Sequence, residues 1–184
     1  MTGRNEDEGL EELGRGRWVR LVRLGKWEFA ERVRGSRAVM IAAITDDDEL
    51  IVVEQHRPAV GGSTIELPAG LVGDDSPDEL AELAAARELE EETGYRPSRL
   101  IQVAEGCSTA GLTNERVTAF VAERVQRVGD GGGVEGENIT VHLVPLTELD
   151  DWIATQTAAG KTLDLKLHTG VYWALRVRAQ RNDP

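Results

Sequence analysis

One short stretch of the chain contains Glu88, Glu91 and Glu92, three glutamates at helical spacings. At spacings of three and four residues, their side chains share one face of a helix. Like charges at these spacings repel by roughly a few tenths of a kcal/mol per pair. A divalent cation would turn that repulsion into binding, because Mg²⁺ takes oxygen ligands and keeps waters that bridge to phosphates. A solvated acidic helix face is the alternative interpretation, and the three glutamates alone leave both open.

The chain before these glutamates predicts where their helix begins and ends. Ser76 suits the N-cap, Pro77 suits the first helical position, and Glu79 follows the cap by three residues, as in a capping box. Alanine and leucine continue to Thr93, and Gly94 is expected to end the helix. The pattern therefore predicts one long helix that presents the glutamates.

Strand-like patterns lie on both sides of this helix. Two short stretches within 18–33 flank Gly25 and predict a hairpin or two edge strands. Residues 38–45 and 50–55, separated by three consecutive aspartates, predict an antiparallel pair. The remaining predicted elements are strands at 100–104, 117–122 and 139–144, a flexible glycine-rich loop at 129–133, and helices at 146–157 and 165–178. This mixture predicts an α/β sandwich.

The charge and cysteine content narrow the class of partner. Lys and Arg number 21 against 33 Asp and Glu, a formal net charge of −12, which disfavours binding to nucleic acid or anionic membranes. The longest apolar run is far shorter than the ~20 residues of a membrane-spanning helix. The single cysteine, Cys107, permits no internal disulfide and suits the reducing cytoplasm. We therefore expect a cytoplasmic protein with no nucleic-acid or membrane partner.

The stretch GDDSPDELAELAAARELEEETGY, residues 73–95, resembles the signature of the Nudix hydrolases, and each fixed position of that signature is matched. The resemblance implies a Nudix-type α/β/α sandwich with a mixed sheet. It also implies Mg²⁺-dependent hydrolysis of nucleoside diphosphates linked to another moiety, with Mn²⁺ as a substitute metal. By resemblance, Glu88 and Glu92 are Mg²⁺ ligands, Glu91 is a further ligand or a competing candidate for the general base, and Arg87 orients the catalytic glutamates.

The stretch VEQHRPAVGGSTIELPAGLVGD is similar to the ADP-ribose and nucleotide-sugar pyrophosphatase branch of that family. The branch implies that the backbone carbonyl of Ala69 is a metal ligand. It usually places the first glycine of the signature directly after this alanine. Here Gly70 occupies that place and the matching Gly73 comes three residues later, so the loop carries a three-residue insertion.

The acidic segment EGENITVH, residues 135–142, resembles the loop that supplies the general base in this branch. The resemblance assigns Glu135 as the base that deprotonates the attacking water, and Glu137 as an auxiliary metal ligand. A glycine-flanked loop can close over substrate, which suits this role. A loop that carries glutamates only for solubility is the alternative.

The segment GKWEFAER resembles the element by which such enzymes hold the purine. Trp27 would stack on the base and Glu28 would accept hydrogen bonds from it. Arg57 and Arg32 would supply positive charge to the phosphates or stack on the base. The branch forms homodimers with exchanged N-terminal strands, so Trp27 would serve the neighbouring subunit. The expected organisation is a flexible tail at 1–15, a strand arm at 16–36 for dimerisation and base binding, and a Nudix hydrolase domain at 37–184.

The segment STAGLTNE bears on which nucleotide sugar is the substrate, and its missing proline weakens ADP-ribose relative to the others. Gly111 and Glu115 match substrate-binding positions of ADP-ribose-preferring members, whereas Ala110 stands where those members carry proline. The expected substrate is a nucleoside diphosphate sugar, ADP-ribose or another such as GDP-mannose, cleaved to a nucleoside monophosphate and a sugar phosphate. The alternatives are a dinucleoside polyphosphate or oxidised nucleotide as substrate, or a non-catalytic nucleotide-sugar sensor.

Overall fold

The computed structural model describes residues 9–73, 76, 78–134 and 136–181. The helices are α1 (Ala81–Thr93), α2 (Leu149–Ala158) and α3 (Lys166–Arg181). The strands are β1 (Leu10–Arg15), β2 (Val19–Leu24), β3 (Trp27–Arg32), β4 (Arg37–Ala43), β5 (Glu49–Arg57), β6 (Gly62–Glu66), β7 (Ala69–Leu71), β8 (Tyr95–Cys107), β9 (Arg116–Arg127), β10 (Thr140–Pro145) and β11 (Thr162–Leu163).

The strands form three sheets, in the orders β1-β2-β3, β10-β5-β6-β11 and β7-β4-β9-β8. The second and third sheets are mixed, because β4 runs parallel to β9 and β11 runs parallel to β6 while their other pairs are antiparallel. Within the described residues, no helix is both long and apolar enough to cross a membrane.

Alternate residues of β4 face two different cores. Val39 and Ile41 pack with Leu89 of α1 on one side. Ala42 packs with Leu167 of α3 on the other side, in a core that α2 also covers. A strand buried on both faces needs apolar residues at every position, which explains the continuous apolar run of β4. Helices on both faces of mixed sheets confirm the predicted α/β/α sandwich.

The predicted antiparallel pair of β4 and β5 is wrong. One isolated bridge, between Ile44 and Leu50, joins the two strands, which then enter different sheets. Both strands are buried and apolar, and each gains two partners in its own sheet. The local turn signal at the three aspartates is therefore overridden by tertiary packing.

The N-terminal arm is longer than the sequence predicts. Leu10–Arg15 forms β1 and pairs antiparallel with β2, so the predicted flexible tail is wrong for these residues. The predicted hairpin around Gly25 is confirmed as the antiparallel pair of β2 and β3. The arm docks on its own domain, where the Ala30 N–H donates to the carbonyl oxygen of Leu112 at 2.8 Å.

The helix α1 begins later than predicted. It starts at Ala81, and the residue at its N-cap, Leu80, makes no side-chain capping bond, so the predicted cap at Ser76 is wrong. Pro77 lies outside the described residues. At the other end the prediction is confirmed, because Gly94 adopts the left-handed conformation (φ 75°) and its N–H donates to the carbonyl of Glu90 at 2.8 Å.

Candidate functional site

Arg87 lies at the centre of a hydrogen-bonded network between α1 and the loop that precedes it. Its Nε lies 3.1 Å from Oε1 of Glu79, and its Nη1 lies 2.9 Å from Oε1 of Glu88 and 3.0 Å from Oε2 of Glu91. Its Nη2 also donates to the carbonyl oxygen of Leu71 at 3.2 Å. Burial lowers the pKa of Arg87, but the bond to Glu79 and the charge of Glu88 outweigh burial and raise it overall. Arg87 therefore stays charged and ties the preceding loop to the helix.

Glu79 has a structural role instead of the predicted capping role. Its Oε2 accepts from the Gly73 N–H at 2.8 Å, in addition to the bond from Arg87. Burial raises the pKa of Glu79, and these two donors reverse the shift and lower it below the ordinary value. The segment that ends at Gly73 is thus fixed to α1 through one carboxylate.

The two buried carboxylates of α1, Glu88 and Glu92, converge on one piece of backbone. The Glu88 carboxyl group is packed so closely on Gly70 that a Cβ there would overlap it. The Ala69 N–H donates to Oε2 of Glu92 at 3.2 Å. Burial raises the pKa of Glu92 to about 8, and the nearby negative charges of Glu88 and Glu137 add to the rise although the Ala69 N–H opposes it.

This arrangement fits a hard divalent cation. Carboxylate oxygens are the ligands that Mg²⁺ prefers, and a cation between Glu88 and Glu92 would offset both the burial and the repulsion that raise the pKa of Glu92. Across the described ranges, no three acidic, histidine or cysteine side chains lie close enough together to hold a metal as they stand. Mg²⁺ is commonly held by one or two carboxylates plus waters, so Glu88, Glu92 and the Ala69 backbone still suit it.

The other two predicted metal ligands, Glu91 and Glu137, accept hydrogen bonds from groups of the protein. Glu91 accepts from Arg87 at 3.0 Å, and Oε2 of Glu137 accepts from the Val134 N–H at 3.0 Å. Glu137 nevertheless lines the same cleft as Glu88 and Glu92, whereas Glu91 does not line it.

The glycine-rich loop after β9 is anchored to the end of α1 and is not simply a flexible connector. The N–H groups of Gly132 and Gly133 donate to the carbonyls of Glu92 and Glu91, at 2.9 and 3.0 Å. These carbonyls belong to the last turn of the helix, where no intrahelical donor remains. The same bonds bring the loop that carries Glu137 to the carboxylates. Glu135 lies outside the described residues.

A cleft of about 660 Å³ is lined by Glu88, Glu92 and Glu137 together with three positively charged side chains. Each of these side chains forms an ion pair with a carboxylate that also lines the cleft. Arg32 lies 2.8 Å from Glu115, which also accepts from Ser108 at 3.1 Å. The other two pairs are Arg57 with the buried Glu66, bidentate at 2.7 and 2.8 Å, and Lys166 with Asp164.

The bidentate pair fixes the guanidinium of Arg57 in one orientation. The bond to Glu66 raises the pKa of Arg57. Burial opposes this rise, and the negative charges of Glu92 and Asp164 add to it. A guanidinium that lines the same cleft as the Glu88 and Glu92 carboxylates can contact a phosphate group without entering the protein core.

The structure brings together most, but not all, of the site residues predicted from the sequence. Those that line the cleft are Arg32, Arg57, Ala69, Glu88, Glu92, Glu115 and Glu137. Those described but not lining it are Trp27, Glu28, Arg87, Glu91 and Gly111. Trp27 is 64% exposed on the arm, and Glu28 pairs there with Arg23 at 2.8 Å.

Three charged residues that line the cleft were missed by the sequence reasoning: Glu66, Asp164 and Lys166. Glu66 stands in the ELPAG element, so its place in a recognisable motif was the available signal. Asp164 and Lys166 lie far along the chain, and they reach the cleft because β11 adds to the sheet beside β6. No local pattern predicts that parallel pairing.

Comparison with known proteins agrees with this geometry. The NUDIX domain family matches residues 35–163. A methanol dehydrogenase activator of Bacillus methanolicus is 32% identical over 145 residues, covering 74% of this chain and 75% of that protein. An ADP-ribose pyrophosphatase of Bacillus subtilis is 36% identical over 55% of this chain, and a GDP-mannose pyrophosphatase of Cronobacter sakazakii is 33% identical over 62% of it. The chain spans 53% and 62% of the length of these two relatives.

The fold is also similar to a solved structure. The crystal structure of an ADP compounds hydrolase aligns with a TM-score of 0.63 and 22% identity, over 79% of this chain and 80% of the other. Because identity is low, this likeness concerns the fold. The match of the family over most of the chain shows more: the chain belongs to the Nudix family.

Proposed function

We propose that the protein is a Mg²⁺-dependent pyrophosphatase that cleaves a nucleoside diphosphate sugar to a nucleoside monophosphate and a sugar phosphate. The observation that carries this proposal is the convergence of the buried Glu88 and Glu92 on the Ala69–Gly70 backbone, in a cleft that also holds paired arginines. Anionic carboxylates and cationic side chains in one cleft suit a substrate that is itself an anion bound through a metal. The pyrophosphatase relatives support the same substrate class.

The residues divide into metal ligands and groups that orient them. Glu88, Glu92 and the Ala69 carbonyl would hold Mg²⁺, or Mn²⁺ in its place, with Glu91 and Glu137 as further ligands. The metal would neutralise charge on the diphosphate and lower the pKa of the attacking water. Arg87 keeps the Glu88 and Glu91 carboxylates in place through its contacts at 2.9 and 3.0 Å.

The remaining polar groups bind the substrate. Arg57 would contact the diphosphate, with its guanidinium held in orientation by Glu66, and Arg32 would contact the part of the substrate near Glu115. Glu115 and Gly111 would bind the rest of the nucleotide sugar. Glu135 would act as the general base on the water, as the resemblance to the branch implies.

We also propose a homodimer in the cytoplasm, with the N-terminal strands exchanged. The arm exposes the large apolar side chains of Trp18, Val19, Leu21, Leu24 and Trp27, by 42–66%. Exposed apolar groups on one small sheet support a protein–protein contact. In an exchanged dimer, Trp27 and Glu28 would reach the base in the neighbour's cleft.

The test is release of nucleoside monophosphate from a panel of ADP-ribose, GDP-mannose and UDP-glucose, with Mg²⁺ and then with EDTA. We expect release from at least one nucleotide sugar with Mg²⁺ and none with EDTA. Preferential cleavage of a dinucleoside polyphosphate or an oxidised nucleoside triphosphate would replace the proposed substrate class. Binding of a nucleotide sugar without cleavage would favour the sensor.

A further inference from the structure

A second cavity, of about 310 Å³, lies beside the cleft. Its floor is one face of the β7-β4-β9-β8 sheet, where Ala104 pairs with Ala119 and Gly106 pairs with Val117 across β8 and β9. Met40 of β4, the other neighbour of Ala119, completes the floor. These residues are mostly small, so space remains between the sheet and the start of α3.

The second cavity adjoins the cleft. Val117, Leu165 and Lys166 line both. Leu165 is 75% exposed and is therefore not packed between the two spaces. The sheet face also continues, because Val117 pairs in β4 with Ala38, which lines the cleft.

A cation is held at the junction of the two cavities. The Lys166 ammonium pairs with the Asp164 carboxylate, which also accepts from the Lys166 N–H at 2.9 Å. This double contact restricts the lysine to the junction, although its side chain remains 40% exposed. Lys166 is thus available to an anionic group that passes from the cleft into the second cavity.

We infer that the sugar of the substrate occupies the second cavity and that Lys166 contacts the phosphate that leads to it. The inference rests on the proposed function and makes Gly106 a determinant of specificity and Lys166 a phosphate-binding residue. The small apolar floor suits the C–H face of a sugar ring, and the sugar hydroxyls would reach Ser108 and Thr169, which also line the cavity.

Gly106→Val tests this placement by filling the cavity. A Cβ at Gly106 would meet no atom within 4 Å, and its φ is not left-handed, so the fold should accept the substitution. The comparison uses ADP-ribose and the methyl ester of ADP on its terminal phosphate. The ester keeps the adenosine and the diphosphate and lacks only the terminal ribose. Each compound is measured as a substrate or as a competitive inhibitor, and thermal melting checks the fold.

We expect Gly106→Val to raise the KM or inhibition constant of ADP-ribose by at least about 10-fold and that of the methyl ester by less than about twofold. Lys166→Met should weaken the binding of both compounds, since both carry the phosphate. Ala154→Val, which enlarges an exposed alanine on α2, is the control and should weaken neither. If Gly106→Val does not fold, Gly106→Ala gives the same comparison with a smaller side chain.

Two outcomes separate this inference from the proposed function. If the wild-type protein cleaves ADP-ribose but Gly106→Val affects the two compounds equally, or Lys166→Met affects neither, the inference is overturned and the proposed function stands. If the wild-type protein cleaves no nucleotide sugar, both are overturned.

Discussion

The carboxyl group of Glu88 rests directly on the backbone of Gly70, with no room for even one additional carbon atom on that glycine. Gly70 belongs to β7 and Glu88 to α1, so this contact joins a strand directly to the helix that carries both Glu88 and Glu92. The position of Glu88 therefore depends on the absence of a side chain eighteen residues earlier.

The first prediction follows from this contact. Gly70→Ala should displace the Glu88 carboxyl group and weaken Mg²⁺ binding by about 10–100-fold, the usual effect of disturbing a group that orients a metal ligand. The measurement is a Mg²⁺ titration of nucleotide-sugar hydrolysis, in which the half-saturating Mg²⁺ concentration should rise more than the KM for substrate.

Gly62→Ala is the matched control for this substitution. Gly62 also lies in a strand of the same fold, but a Cβ there would meet no atom within 4 Å. The control should leave the Mg²⁺ titration unchanged. An unchanged titration in Gly70→Ala as well would mean that Glu88 is not a metal ligand.

The second prediction concerns the pH dependence of stability of the metal-free protein. Burial raises the pKa of Glu92 from 4.5 to about 8, so between these values the folded state keeps a proton that the unfolded state has lost. Because the unfolded state then binds fewer protons at this residue, the contribution of Glu92 to the free energy of unfolding falls as pH rises from 4.5 to about 8 and changes little outside that window.

Glu92→Gln should remove this contribution. In EDTA, the melting temperature of the variant relative to wild type should increase steadily from pH 5 to pH 8, measured by calorimetry. Added Mg²⁺ should stabilise wild type and not the variant, whose turnover should also be lower by orders of magnitude. A constant difference in melting temperature across this range would contradict the assignment of Glu92 as a buried, protonated carboxyl.

The sequence predicted the end of α1 correctly and its beginning incorrectly, for a physical reason. Gly94 ends the helix through its own backbone conformation, which is a local property. The predicted capping box failed because the carboxylate of Glu79 bonds instead to Gly73 and to Arg87, and the second of these is a contact between separate parts of the site.

The same distinction applies to the site. Glu88 and Glu92 could be predicted because their spacing places them on one helix face. Lys166 and Asp164 could not, since they reach the cleft through the parallel pairing of β11 with β6. Long-range pairings of this kind leave no periodic pattern in the sequence.

The third prediction is a homodimer whose arms are exchanged. Light scattering at micromolar concentration should give twice the chain mass of 20.1 kDa. A mass near that of one chain would contradict the dimer.

Complementation tests the exchange itself. Trp27→Ala and Glu92→Gln should each be nearly inactive, but in an exchanged dimer the mixed species carries one intact site. Mixing the two variants should therefore restore about a quarter of wild-type activity after subunits reassort at random. If Trp27 serves its own chain, both sites of the mixed dimer are damaged and no activity returns.

The last prediction separates two candidates for the general base, Glu135 and Glu91. A base acts in the transition state, so Glu135→Gln should lower kcat by about 10²–10⁴-fold with little change in KM. The half-saturating Mg²⁺ concentration should also change little, because Glu88 and Glu92 would remain. Glu91 is the weaker candidate, since its carboxylate already accepts from Arg87 at 3.0 Å and does not line the cleft.

The two variants are compared side by side at saturating Mg²⁺. Glu91→Gln removes a contact of Arg87 and should act mainly on metal affinity, so saturating Mg²⁺ should restore much of its kcat. If Glu135→Gln instead keeps more than about a tenth of wild-type kcat, less than the usual effect of losing a base, while Glu91→Gln remains inactive, the base is Glu91. The carboxylate would then have to leave Arg87 to reach the water.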